Sequence, residues 1–122
     1  MGYPKFLVAG VTLLLTVSLN AQQKIIDSIE RILPAKKDST LAKSYNELTW
    51  QYRTIDQDKA IEYGNKAIAL GSKINFSPAV AQAYNDLGII YYDQQDFTSA
   101  LSSYRRAFDI RTKLNDQKGI GA

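Results

Sequence analysis

Apolar residues recur every three to four positions from Lys24 to Leu114. The first stripe of this kind contains Ile25, Ile26, Ile29, Ile32 and Leu33. Spacing of i, i+3, i+4 and i+7 is typical of an amphipathic helix. Pro34 is expected to end this helix, because the residue before a proline avoids the helical region. The sequence therefore predicts an N-terminal helix and a connector over residues 22–37.

Four further helices are predicted downstream by the same spacing. Each is preceded by a residue that favours a helix start: Asp38 or Ser39, Asp56, Ser77 followed by Pro78, and Asp96. Short polar side chains accept hydrogen bonds from the first free N–H groups of a helix, and proline is tolerated in the first turn. No run alternates between apolar and polar residues in the manner of a strand. The predicted fold class is all-α.

The first twenty-one residues have the layout of a secretory signal peptide. Lys5 supplies an early positive charge, and residues 6–19 are uncharged and mostly apolar. Asn20 and Ala21 follow, and the chain then becomes polar. A basic start, a short apolar core and a small residue at the cleavage position define such signals. We expect a signal peptide at 1–21 and an exported, periplasmic or cell-envelope protein. An uncleaved N-terminal membrane anchor is the alternative.

Composition excludes several kinds of chemistry. The chain has no Cys and no His, so disulfides, thiolate nucleophiles and Ser-His-Asp triads cannot form within it. The formal charge of +3 is mild, and the only basic doublets are Lys36-Lys37 and Arg105-Arg106. Nucleic-acid-binding proteins usually concentrate basic residues on one face. No direct nucleic-acid binding is expected.

Two close carboxylate pairs remain as candidates for catalysis or metal binding. They are Asp56 with Asp58, and Asp93 with Asp96. Both pairs lie in predicted turns, where acidic residues stabilise the N-termini of helices. A metal site would need more ligands than either pair supplies. The sequence predicts no catalytic residue, no metal site and no cofactor.

The second and third predicted helices are repeated in the fourth and fifth. An offset of 39 residues places Tyr45, Leu48 and Tyr52 over Tyr84, Leu87 and Tyr91. An offset of 40 places Ala60 and Ala67 over Ala100 and Ala107. The extra residue falls in the turn between the helices, where insertions are tolerated. The repeating unit is therefore a pair of helices joined by a turn.

These residues resemble the tetratricopeptide repeat. The second copy carries seven residues of that family's pattern: Tyr84, Leu87, Gly88, Tyr91, Ala100, Tyr104 and Ala107. The first copy has Thr49 in place of the glycine and Gly64 in place of an aromatic residue. The resemblance implies an α-solenoid of antiparallel helix hairpins, with repeats at 38–75 and 76–115. Residues 116–122 are interpreted as the start of a truncated third repeat.

The resemblance also implies a concave groove formed mainly by the first helix of each hairpin. The residues expected to face it are Lys43, Asn46, Trp50, Arg53, Gln82, Asn85, Ile89 and Tyr92. Asparagine can donate to and accept from a peptide backbone, so a protein or peptide partner is predicted. The alternative is a solvated face without a ligand. Neither Asn46 nor Asn85 is expected in the core, and alanine at both positions is expected to weaken binding without disturbing the fold.

Some tetratricopeptide proteins hold acidic C-terminal tails of chaperones in a clamp of Lys, Arg and Asn. Glu47 and Ile89 occupy positions where that clamp would need polar or cationic side chains. The clamp is therefore not expected in this chain.

A wider resemblance links the chain to the exported N-terminal regions of bacterial signalling proteins with histidine-kinase or DNA-binding output domains. It is carried by the runs at 45–48 and 56–63 and by the leader ending at Ala21. This resemblance implies a non-catalytic sensory or interaction module. A cytoplasmic or membrane-anchored assembly scaffold is the alternative.

An uncovered apolar stripe with Phe108 and Leu101 on the last helix is expected to favour self-association.

Overall fold

The computed structural model describes the backbone of residues 5–120, and the side chains of residue 16 and of residues 18–117. It contains five α-helices: α1 (Lys5–Ile32), α2 (Asp38–Tyr52), α3 (Gln57–Lys73), α4 (Ser77–Asp93) and α5 (Phe97–Ile120). A short 3-10 helix at Leu33–Ala35 joins α1 to α2 and includes Pro34. The described part of the chain has no strand, and the predicted all-α class is confirmed.

Two of the predicted helix starts are confirmed by hydrogen bonds. The Asp56 carboxylate accepts from the backbone N–H of Lys59 at 3.1 Å, at the start of α3. The Asp96 carboxylate accepts from the backbone N–H of Ser99 at 3.1 Å, at the start of α5. Hydrogen bonds from the Ser99 side chain and from its backbone N–H lower the pKa of Asp96 below its usual value. Both aspartates therefore cap helices.

The other two predicted caps are wrong. Lys37 occupies the cap position of α2, and its side chain makes no capping hydrogen bond. Asp38 is the first residue of the helix and has a φ of 55°, in the left-handed region. The Thr40 hydroxyl donates back to the Lys37 carbonyl at 2.6 Å. Phe76 precedes α4, and Ser77 is its first residue without capping it, although Pro78 lies in the first turn as predicted. Extended backbone at the preceding residue, rather than a polar side chain, sets the start of α2.

The connectors after α3 and α4 share one geometry. Asn75 and Gln95 have φ values of 56° and 63°, in the left-handed region. The N–H of Phe76 then donates to the carbonyl of Gly71 at 2.8 Å, and the N–H of Asp96 donates to that of Tyr91 at 2.9 Å. These bonds satisfy helix carbonyls that would otherwise lack partners. Each helix is thereby closed before the chain turns into the next one.

The helices pack as two hairpins, α2 with α3 and α4 with α5, and α3 and α2 both contact α4. The four alanines that the repeat places at equivalent positions, Ala60, Ala67, Ala100 and Ala107, are at most 2% exposed. Small buried side chains allow two helix axes to approach closely. Larger residues, including Leu48, Leu87 and Ile90, fill the core between these contacts.

Glycine is required at two of the closest approaches. A Cβ atom on Gly88 would lie 2.7 Å from two atoms of the Tyr104 ring, which comes from the other helix of the same hairpin. A Cβ atom on Gly64 would lie 2.8 Å from the Leu87 side chain of the following hairpin. Gly64 departs from the family pattern, and Leu87 fills the space beside it.

Polar contacts tie α1 to the first hairpin. The Tyr52 and Tyr63 hydroxyls both donate to Oε1 of Glu30, at 2.6 Å and 3.0 Å. The two rings stack with their centroids 5.7 Å apart. The Gln22 amide donates to the Gln51 carbonyl at 2.7 Å. From Gln22 onward, α1 is therefore part of the same packed unit.

The apolar stripe predicted on α1 is only partly buried. Ile26 is fully buried, and Ile29 packs against the core. Ile25 and Ile32 belong to the same stripe but are 47% and 44% exposed. One helix in contact with one hairpin buries a narrower stripe than the sequence spacing suggests.

The outer face of α5 is apolar and open. Phe97, Leu101 and Phe108 on this face are each more than half exposed. The expected exposure of Leu101 and Phe108 is therefore observed. The helix continues to Ile120, beyond the repeat boundary predicted at residue 115.

Within the described residues, none of the helices combines the length and apolar character needed to cross a membrane.

Replacement of Gly88 by leucine is expected to destabilise the fold by about 1–3 kcal/mol, because the new side chain must displace the Tyr104 ring. The better helix propensity of leucine offsets part of this loss. Thermal and denaturant unfolding would measure it, with Ala69→Leu at an exposed position of α3 as the control. Equal stability of the two variants would contradict the close approach of α4 to α5.

The tyrosine pair predicts a loss of stability at alkaline pH. Burial and the hydrogen bond to Glu30 raise the pKa of Tyr63 from 10.0 to about 12, and they raise the pKa of Tyr52 further. A raised pKa in the folded state means that the stabilisation is complete below pH 10 and declines as the pH rises through 12. Denaturant unfolding at a series of pH values would measure this decline. In the Glu30→Gln variant the decline should be shallower, and an unchanged profile would show that Glu30 does not hold the pair.

Candidate interaction groove

The first helices of the two hairpins, α2 and α4, enclose a cavity of about 300 Å³. Six of the eight predicted groove residues line it: Lys43, Asn46, Trp50, Gln82, Asn85 and Ile89. Glu47 and Asp86 complete the lining. The helical period places each of these side chains on the shared face of its helix. The structure thus brings most of the predicted residues together, and their role in binding stays a prediction.

Asn46 is part of the core as well as of the cavity lining. It is 8% exposed, and its Nδ2 group donates to the Ala79 carbonyl at 2.9 Å, which links α2 to the start of α4. The expectation that Asn46 lies outside the core is wrong. Alanine at this position is now expected to weaken the fold, because it removes this inter-hairpin bond. Asn85 is half-buried and therefore agrees better with the expectation that it lies outside the core.

The Oδ1 atom of Asn46 has no hydrogen-bond partner among the described residues, although it is buried. Buried polar atoms are nearly always paired with protein or water. In the cavity lining, the unpaired Asn46 oxygen is an acceptor for a donor from outside the fold, either water or a ligand.

Asp86 is the buried charge of the cavity. Its residue is 4% exposed, and its Oδ1 atom accepts from the Gln82 side chain at 2.9 Å. Burial raises the pKa of Asp86 above its usual value, while hydrogen bonds from the Gln82 and Asn85 side chains and the positive charges of Arg53 and Arg111 oppose this shift. The described residues contain one ion pair, Lys66 with Glu62, so Asp86 has no cation at ion-pair distance.

Positively charged side chains lie around the cavity, in contact with aromatic rings or at its edge. The Lys43 ammonium lies 5.5 Å from the centroid of the Phe76 ring. The Arg53 guanidinium lies 3.4 Å from the Trp50 ring and donates to the Trp50 carbonyl. Arg111 reaches Gln82 from α5 at 3.5 Å. These positions make a basic margin around a floor that contains carboxylate and amide oxygens.

Two predicted residues lie outside the cavity lining. Arg53 packs on Trp50, which lines the cavity, and so lies next to it. Tyr92 is 59% exposed and packs edge-on against Phe97, with ring centroids 5.4 Å apart. The bend at the end of α4 and the start of α5 gives Tyr92 an aromatic neighbour that the repeat alignment does not reveal.

Asp86 was missed by the sequence prediction, although the repeat contains the signal for it. The offset of 39 residues places Asp86 over Glu47. Applying the repeat offset to that position would have predicted two acids in register on the groove face.

The described residues offer no set of three or more acidic side chains placed to hold a metal ion. Of the predicted turn acids, Asp56 and Asp96 are engaged as helix caps. The groove instead has amides, aromatic rings and charges of both signs, which are groups that recognise polypeptide.

The architecture is that of a helical-repeat protein, in which successive hairpins present one helix each to a shared surface. The family model of the tetratricopeptide repeat matches residues 52–113, which is half of the chain. The chain belongs to the tetratricopeptide repeat family. Repeats of this family are generally non-catalytic protein-interaction modules. No curated protein and no solved structure matches the chain.

Proposed function

We propose that the cavity between α2 and α4 is the binding site of this interaction module and receives an extended segment of a partner protein. The observation that carries the proposal is the unpaired, buried Oδ1 atom of Asn46 in the lining of an open cavity. A peptide segment offers N–H donors at regular intervals along its backbone. The site therefore fits a polypeptide ligand in its polar chemistry.

Neighbouring side chains support the same ligand. Gln82 and Asn85 present amide groups from α4, and Ile89 adds an apolar surface. Trp50 is 39% exposed and is held in place by Arg53. Exposed aromatic residues beside polar groups are typical anchors of protein interfaces. The amides can orient a bound segment, and the indole ring of Trp50 can contact its side chains. Together they support binding of a short segment.

We further propose that the module works outside the cytoplasm, as the sensory or interaction region of a bacterial signalling protein. Residues 1–21 carry an early positive charge, then an apolar core, then a small residue at the cleavage position, and this order supports export. The contacts of α1 with the first hairpin support the cleavage position: Gln22 bonds to Gln51, whereas residues 18–21 are exposed. Removal of residues 1–21 would leave the contacts of Gln22, Ile26 and Glu30 in place.

Binding can be tested with a random peptide library selected against the full chain. Trp50 is the only tryptophan, so its fluorescence reports directly on the groove. Selected peptides should change Trp50 emission and should lose affinity by about tenfold or more in the Asn85→Arg variant, where a long cation fills the cavity.

Asn65→Arg on the exposed side of α3 is the matched control, since it makes the same substitution away from the groove. Circular dichroism would establish that both variants are folded. Peptides that bind the Asn85→Arg variant as tightly as the original chain, with unchanged Trp50 emission, would place the binding site elsewhere.

The export proposal predicts a mature chain that begins near Gln22. Expression with its own leader in a Gram-negative host, followed by fractionation and intact-mass measurement, would locate both the protein and its N-terminus. A periplasmic species that has lost residues 1–21 is the expected result. A membrane-bound species that retains residues 6–19 would support the anchored scaffold, and an intact species in the cytoplasm would contradict export.

A further inference from the structure

The floor of the cavity has more hydrogen-bond acceptors than donors. The Asn46 amide uses its donor group on the Ala79 carbonyl, and its Oδ1 atom is left without a partner. Asp86 presents carboxylate oxygens, which receive hydrogen bonds from the Gln82 and Asn85 side chains. Both residues are more than nine-tenths buried and line the same cavity. A ligand group that satisfies this floor must be a donor.

The buried charge at this floor is negative and lacks a paired cation. Transfer of a carboxylate away from water is costly unless a positive group lies against it. The nearby cations are placed differently: Lys43 and Arg111 are exposed, and Arg53 is stacked on Trp50. None of the three lies within ion-pair distance of Asp86. Arg53 and Arg111 therefore act on Asp86 only at longer range, and among the described residues no cation lies directly against its carboxylate.

A second acid extends this site along the groove. Glu47 on α2 and Asp86 on α4 occupy equivalent positions of successive repeats, and both line the cavity. Adjacent packed helices lie about 8–10 Å apart. Side chains at alternate positions of an extended peptide project to the same side at intervals of about 7 Å. Two cations at alternate positions of such a peptide could reach the two acids together.

We infer that the groove selects partner segments that carry lysine or arginine, with a basic side chain entering the cavity to pair with Asp86 and a second one reaching Glu47. This inference rests on the proposed function of the groove. Arginine fits best, because a guanidinium has five donors and can bond to the Asp86 carboxylate and the Asn46 carbonyl oxygen at once. The second acid gives the site a preference for paired basic residues.

An acidic partner is the competing interpretation, since Lys43, Arg53 and Arg111 surround the cavity. These side chains are at the margin, and exposed charge pairs contribute little to affinity. Entry of an acidic side chain would bring a second negative charge against the buried Asp86 carboxylate, which costs free energy. Burial of the Asp86 carboxylate therefore favours a basic ligand over an acidic one.

Three blocked nonapeptides would test the inference with the full chain. They would share a neutral sequence of glycine, serine and alanine and would differ only at two alternate central positions. These positions would carry arginine, the neutral isostere citrulline, or glutamate. Titration would be followed by Trp50 fluorescence at low ionic strength, where screening is weakest. We expect the arginine peptide to bind about tenfold or more tightly than the citrulline peptide, and the glutamate peptide to give no response.

Charge-neutral variants of the two acids would locate the contact. Asp86→Asn should weaken binding of the arginine peptide by about tenfold, and Glu47→Gln, at an exposed position, by about threefold. Asp109→Asn on the exposed side of α5 removes the same charge and should change nothing. The asparagine at position 86 can still accept from Gln82, so the melting temperature should be unchanged or higher.

Three results would overturn the inference. They are equal binding of the arginine and citrulline peptides, tighter binding of the glutamate peptide, and full affinity of the arginine peptide for both acid variants. Library peptides that respond to Asn85→Arg without enrichment in basic residues would also overturn it, while leaving the proposed function intact. If neither the designed nor the selected peptides respond at Trp50, the groove is not the binding site and both proposals fail.

Discussion

The structure depends on the close approach of helices at small residues. Gly88 lies against the Tyr104 ring, and Gly64 lies against Leu87, at distances that leave no room for a Cβ atom. Buried alanines keep the axes close at the remaining crossings. Because α2 and α4 are held by these contacts at the back of each hairpin, their front faces converge on one cavity. The geometry of the groove is thus set by residues that never touch it.

The two hairpins reach this geometry with different residues. In the second, Gly88 accommodates the aromatic ring of Tyr104. At the equivalent positions of the first, Thr49 and Gly64 exchange the large and the small partner. Thr49 is fully buried, and its hydroxyl donates to the Tyr45 carbonyl at 2.9 Å. The space beside Gly64 is filled by Leu87 of the following hairpin, so this position of the first hairpin is packed by a neighbouring hairpin, whereas Gly88 of the second is packed by Tyr104 of its own.

Sequence analysis could predict the features that depend on local spacing and on the repeat. The caps at Asp56 and Asp96, the buried alanines and most of the groove lining follow from helical period and repeat offset. Features that depend on long-range contacts could not be predicted. The bond from Asn46 to Ala79 requires the relative height of two hairpins, and the pairing of Tyr92 with Phe97 requires the angle at a turn. Neither quantity is encoded in the apolar pattern.

The left-handed residues that close α3 and α4 have a consequence for how the groove meets a ligand. Asn75 and Gln95 hold a backbone conformation that glycine adopts more freely. A residue other than glycine has fewer backbone conformations available, so the connector is stiffer. The left-handed conformation is unfavourable for such a residue and lowers the stability of the fold somewhat. Of the two residues, Asn75 lies between the hairpins, so its conformation limits the angle at which they meet. For the proposed groove, a limited range of shapes would reduce the conformational entropy lost on association and would favour segments that already match it.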